Sequence, residues 1–160
     1  MRLLFICTHN RCRSILFEAI CNFQGDGRLE ARSAGSAPAN EVHPLTLKYL
    51  EAAGVPTAGL HSKSWDNPGD YPPDLLITVC DSAAGESCPL LLSSIPCLHW
   101  GLADPSRQED DVGEVAQAFR DAIAEVQARI KALLALPLEN LSGQQLADAL
   151  RARIAAADSG

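Results

Sequence analysis

The chain has 160 residues, 47% of them hydrophobic, which suits one compact domain able to bury roughly 70% of the surface its unfolded form exposes. With 13 basic against 20 acidic residues and a formal net charge of -7, it lacks the clustered cations that hold nucleic acid or an anionic membrane. No secretory pattern and no apolar run near the roughly 20 residues of a membrane span occurs, so a cytoplasmic protein is expected, in which six cysteines read as reactive or buried thiols rather than a disulfide framework.

In chain order, Arg2 to Ile6 is an almost continuous apolar run ending at Cys7, as expected of a parallel strand covered on both faces. A polar loop, Thr8 to Arg13, leads into Ile15, Leu16, Ala19, Ile20 and Phe23, which recur at helical spacing until Gly25 and Gly27. Three more strands are predicted: Glu30 to Ala34 before Gly35, Asp74 to Val79 before Cys80, and Ile95 to Trp100 before Gly101. Val42, Leu45, Leu50 and Ala53 mark an intervening helix, and Pro68 to Pro73 reads as a surface loop. Val115, Phe119, Ala122, Ile123, Val126, Ile130 and Leu133 mark a long amphipathic helix. Strands alternating with helices predict a single α/β domain over residues 1–136, a parallel doubly wound sheet of about four strands with flanking helices. Past Pro137, a capping box of Ser142 and Gln145 and a staple from Leu141 to Leu146 predict a helical extension, 137–160. Leu146, Leu150 and Ile154 would dock it on the same domain.

In an open parallel sheet the ligand site lies beyond the carboxyl ends of the strands, so Cys7, Ser33, Gly35, Cys80 and the segment His99 to Asp104 converge on one rim. The loop Cys7, Thr8, His9, Asn10, Arg11, Cys12, Arg13, Ser14 passes from strand to helix there. Its N–H groups and the helix N-terminus can face a tetrahedral oxyanion together. Arg13 can add a two-pronged contact to the anion. The same positive field is expected to draw the Cys7 thiol below the free value of about 8.5, and Ser14 can donate to its sulfur. Asn10 tolerates a left-handed backbone that turns the loop inward. A buried cysteine before an ordinary helix with two solvated arginines is the competing reading, which this spacing and context disfavour.

Cys, five residues, Arg, Ser directly after the first strand resembles the signature loop of the low-molecular-weight protein tyrosine phosphatases. Ser33 to Gly35 and the late Asp104–Pro105 match as well, over roughly Met1 to Leu134. The resemblance implies that Cys7 attacks a bound oxyanion, Arg13 holds it and Asp104 protonates the leaving group. The chain departs from the phosphatases where they carry Gly, here His9, and where an aromatic residue follows Asp-Pro, here Ser106. Without that ring, and with Tyr49 and Tyr71 as the two tyrosines, phosphotyrosine loses a stacking partner. A tyrosine phosphatase is therefore the alternative rather than the first reading.

The segment from Thr78 through Cys80 and Cys88 to Pro89 resembles the redox segment of arsenate reductases derived from that family, as does His99 to Ser106. Reducing As(V) to As(III) requires two electrons, which two thiols becoming a disulfide supply. The resemblance implies a relay: Cys7 attacks arsenate, Cys80 attacks the Cys7 adduct and releases arsenite, and Cys88 then frees Cys7. The Cys80–Cys88 disulfide is left for thioredoxin, or glutaredoxin with glutathione. No cofactor is expected to be bound, and the chain is expected to act as a monomer. Two such cysteines considered alone read as small packed apolar residues. Cys12 reads as filling space, while Cys21 and Cys97 read as core and His43 and His61 as surface, with His99 open. Cysteine spacing gives no zinc pattern. Some relatives hold potassium through residues matching Asn10, Glu18 and Ser33, but the Asp they add is replaced around Ser64; Glu18 otherwise reads as a solvated helix residue. A helix capped by Asp81 or Ser82 would set Cys88 up to roughly 12 Å from Cys80, so disulfide closure would require unwinding near Gly85.

Overall fold

The computed structural model describes residues 1–66, 72–80, 94–107 and 112–159. Among these, β1 (Arg2–Ile6), β2 (Glu30–Ala34), β3 (Leu75–Thr78) and β4 (Cys97–His99) form one sheet. Its order is β2-β1-β3-β4, and every neighbouring pair is parallel. Central β1 is covered on both faces, which is why Leu3, Leu4, Phe5 and Ile6 are all buried and why its sequence does not alternate.

Among the described residues, four α-helices, α1 (Arg13–Gln24), α2 (Pro44–Ala52), α3 (Val112–Leu134) and α4 (Gly143–Ser159), flank the sheet. Phe17 of α1 stacks on Phe5 of β1, with ring centroids 4.8 Å apart. All seven apolar positions expected to mark α3 are buried, and Phe119 among them stacks 5.1 Å from Tyr49, tying α2 to α3. α4 packs on β3 and β4, burying Leu146, Ala147 and Leu150 in the same core as the sheet. Its capping box forms in both directions: Ser142 N–H donates to Gln145 Oε1 at 2.9 Å and Gln145 N–H to Ser142 Oγ at 3.2 Å. Gly143 lies so close to Asp74 that a Cβ would overlap the Asp74 carbonyl.

Several local expectations are revised. β4 begins only at Cys97, after Pro96, whose ring nitrogen has no hydrogen to give a ladder. As a three-residue edge strand it buries Leu98 and turns Cys97 and His99 to solvent, so Cys97 is not a core residue. β3 stops short of Asp74, whose carboxylate instead accepts the Arg2 N–H at 2.8 Å. Val42 precedes α2, which opens at Pro44 as its preset φ favours. His43 is its half-buried cap rather than a free surface residue: its Nδ1 accepts the Leu45 N–H at 3.1 Å. Most of the Pro68 to Pro73 loop, and all of 81–93 with Asp81, Ser82, Gly85 and Cys88, lie outside the described residues.

Replacing Phe119 by Ala leaves a cavity between α2 and α3 and is expected to lower unfolding free energy by about 3–5 kcal/mol in urea titration. A loss under about 1 kcal/mol would mean that the two helices are joined elsewhere.

Candidate active site

The loop between β1 and α1 has little structure of its own, and neighbouring segments shape it from outside. Thr8 O accepts the Ala37 N–H at 2.8 Å, and His9 O accepts the Ala39 N–H at 3.0 Å and the Ser62 hydroxyl at 3.1 Å. Arg11 O accepts the His43 N–H at 2.9 Å. Because each peptide is planar and trans, drawing these carbonyls outward turns the N–H groups of His9, Asn10 and Cys12 to the opposite, concave side. No side chain caps α1 at Cys12, so its first N–H groups are open to the same ligand. Of the residues expected to hold an oxyanion, Thr8, His9, Asn10, Arg11, Cys12, Arg13 and Ser14, the loop turns the His9 and Arg11 side chains toward solvent.

Asn10 is fully buried with φ 46°, the left-handed turn its residue type accommodates. Its Nδ2 donates to Ser14 Oγ at 2.8 Å, and Ser14 Oγ lies 2.9 Å from Cys7 Sγ. Gly35, at the end of β2, permits the loop's approach. A Cβ there would lie 2.5 Å from Thr8 O and 2.8 Å from Cys7 O.

Cys80 closes β3 beside the same loop: Thr8 N–H donates to its sulfur at 3.4 Å, and the Thr8 hydroxyl is 3.7 Å away. Cys7, Cys12 and Cys80 are all buried. Burial pushes the Cys12 thiol up to about 12 despite its hydrogen bond with Thr46, and burial likewise pushes Cys21 up to about 12. Cys88 lies outside the described residues.

Arg13 and Asp104 meet across the rim, Nη2 to Oδ2 at 3.8 Å, while Arg13 Nη1 donates to Leu102 O at 3.3 Å. The other oxygen of Asp104, Oδ1, accepts the Ser106 N–H at 2.9 Å and hydroxyl at 2.6 Å. Oδ2 is thereby turned toward the guanidinium. His99 Nδ1 is hydrogen-bonded to Thr78 Oγ1 at 2.8 Å, and exposed His61 lies beside Gly59.

Lys63 is a site-supporting residue the sequence did not point to. Its N–H donates to Asn10 Oδ1 at 2.7 Å, its carbonyl accepts from Gly35 N–H at 2.8 Å, and its ammonium reaches Glu18 at 3.1 Å. Glu18 also accepts the Ser33 hydroxyl at 2.6 Å and is 12% exposed, so it is no solvated helix residue. The potassium implied by resemblance does not fit this arrangement. The carboxylate is already neutralised by a fixed ammonium and the Asn10 oxygen is committed to Lys63. A cleft of about 850 Å³ is lined by Glu18, Ser33 and Lys63 rather than by Cys7 or Arg13.

The model of the family low molecular weight phosphotyrosine protein phosphatase matches residues 2–147. The arsenate reductase of Halalkalibacterium halodurans is 32% identical over 127 residues, covering 79% of this chain and 90% of its own length. The glutaredoxin arsenate reductase of Synechocystis sp. is 26% identical over 136 residues, covering 84% and 96%. The solved thioredoxin-dependent arsenate reductase of Corynebacterium glutamicum matches with a TM-score of 0.61 at 31% identity, over 84% of this chain and 60% of that one.

Two measurements probe this geometry. Gly35→Ala should weaken phosphate binding at least about tenfold in isothermal titration calorimetry, since the loop must retreat from the new methyl group; unchanged affinity would mean the nest does not depend on that approach. Iodoacetamide at neutral pH should label Cys7 well ahead of Cys12 in peptide mapping, the latter remaining a protonated thiol, and equal labelling would contradict its burial.

Proposed function

The chain belongs to the low molecular weight phosphotyrosine protein phosphatase family, and we propose that within it this protein is an arsenate reductase. The observation that carries this reading is the second thiol: Cys80 Sγ sits 3.4 Å from the N–H of Thr8, the residue next to Cys7. Hydrolysis of a phosphate ester transfers no electrons and has no use for a sulfur there. The two-electron reduction of arsenate does.

The Cys7 thiolate attacks arsenic in an anion held by the loop N–H groups and Arg13, with Ser14 hydrogen-bonded to the sulfur. Asp104, through the Oδ2 that faces Arg13, protonates the departing oxygen, which leaves as water. Cys80 then attacks the Cys7 sulfur. The S–S bond forms as the S–As bond breaks, its electron pair passes to arsenic, and As(III) departs as arsenite. Cys88 attacks Cys80, restoring the Cys7 thiolate and leaving a Cys80–Cys88 disulfide. An external thioredoxin, or glutaredoxin with glutathione, reduces it; curated and solved relatives with both couplings support an external reductant of this class. No helix among the described residues is long and apolar enough to cross a membrane. Coupling to a thioredoxin or glutaredoxin supports the reading of a reducing cytoplasm as its compartment. Ser106 binding Asp104, where the phosphatases have an aromatic residue, leaves the tyrosine phosphatase alternative without its stacking ring.

Arsenate-dependent NADPH oxidation with thioredoxin and glutaredoxin systems, set against aryl phosphate hydrolysis and equilibrium arsenate binding, tests the proposal. Turnover in the first assay alone is expected. Cys7→Ser should abolish it, and Arg13→Lys should nearly do so because the bidentate fork is lost. Cys88→Ser should stop after one turnover with a Cys7–Cys80 disulfide, and mass mapping that finds no such bond would overturn the order of attacks.

A further inference from the structure

Arg129 of α3 is only 14% exposed in its side chain, and all sides of its guanidinium are committed. Nη1 donates to Trp100 O at 3.0 Å, Nη2 to Gly101 O at 2.8 Å and Nε to Glu125 Oε1 at 2.9 Å. Its plane lies 4.9 Å from the Trp100 ring centroid and 5.8 Å from that of Phe17. A Lys ammonium cannot reproduce a fork on two successive carbonyls.

The two carbonyls belong to the segment that leaves β4 and carries the acid. On its other side, the N–H groups of Trp100 and Leu102 are taken by Thr78 O at 2.8 Å and Val79 O at 2.9 Å. The next carbonyl, Leu102 O, accepts from Arg13, and Asp104 faces Arg13 two residues further on. Phe17 stands one helical turn beyond Arg13 on α1. Arg129 therefore braces both supports of the Arg13–Asp104 pair, the acid segment by hydrogen bonds and α1 through the Phe17 ring.

We infer that Arg129 is a positioning residue for the reaction: it fixes the Trp100-to-Asp104 segment so that Asp104 and the Leu102 carbonyl meet Arg13 in the reactive geometry. This rests on the acid role assigned to Asp104 above. A purely structural tie would lower stability without acting selectively on the step that uses the acid.

The test uses the full chain carrying Arg129→Lys or Arg129→Met, each alone and combined with Asp104→Asn. Single-turnover arsenite release, KM for arsenate and thermal melting are the readouts. Arg129→Lys keeps a cation but loses the fork. It should slow arsenite release about tenfold to a hundredfold while shifting KM less than about threefold, in a protein that melts close to the parent. In the Asp104→Asn background the same substitution should change the rate by less than about twofold, because residues acting as a unit are not additive. Full additivity, or a normal rate in folded Arg129→Lys, overturns the role of Arg129 and leaves that of Asp104 standing. A normal rate for Asp104→Asn alone overturns the acid assignment, and this inference with it. If Arg129→Met fails to fold, the Lys variant decides.

Discussion

The site depends on one constraint: a loop that must present its N–H groups inward can do so only if its carbonyls are held outward. Ala37, Ala39, Ser62 and His43 supply those holds, and they come from the connections after β2 rather than from the loop's own strand and helix. Gly35 sets how close the connection can come, and Lys63 links Gly35, Asn10 and Glu18 into one support. The loop is therefore held in place by its neighbours rather than by a ligand, which is the condition under which backbone dipoles contribute most to binding charge.

Burial divides the thiols chemically. Cys12 lies in the same loop as Cys7, but burial pushes its thiol up to about 12, which keeps it protonated at neutral pH. Cys7 and Cys80 are as deeply enclosed; the Ser14 hydroxyl lies 2.9 Å from the first sulfur and the Thr8 N–H donates to the second at 3.4 Å, as Thr46 bonds to Cys12.

The sequence shows the strand ends and the loop plainly because their signals are local. Cys7 ends an apolar run, and Arg13 and Ser14 open a periodic helix, so the strand-end rule brings Cys80 and Asp104 to them. The seven apolar positions of α3 are legible for the same reason, a 3.6-residue period. Arg129 is not, because an arginine beside the apolar stripe of a long helix reads as solvated surface. Its partners, two carbonyls and two rings, are distant in sequence. Lys63 is hidden similarly, inside a connection without periodicity. Cys97 misleads because Ile95 to Trp100 reads as a longer strand, and neither the missing N–H of Pro96 nor the edge position can be weighed without the sheet order.

That sheet order also sets how the protein must assemble. β1 is central, but its partners stand 28 and 72 residues further along, as the Arg2 contacts with Glu30 and Asp74 record. Such distant closures pay their entropy before any contact repays it, so the last of them forms late. Until β3 docks, Cys80, which follows it, is not held beside the loop that Cys7 opens. The contact between the Thr8 N–H and the Cys80 sulfur is thus among the last to form, and a rim assembled from both sides of β1 is complete only when the whole sheet is.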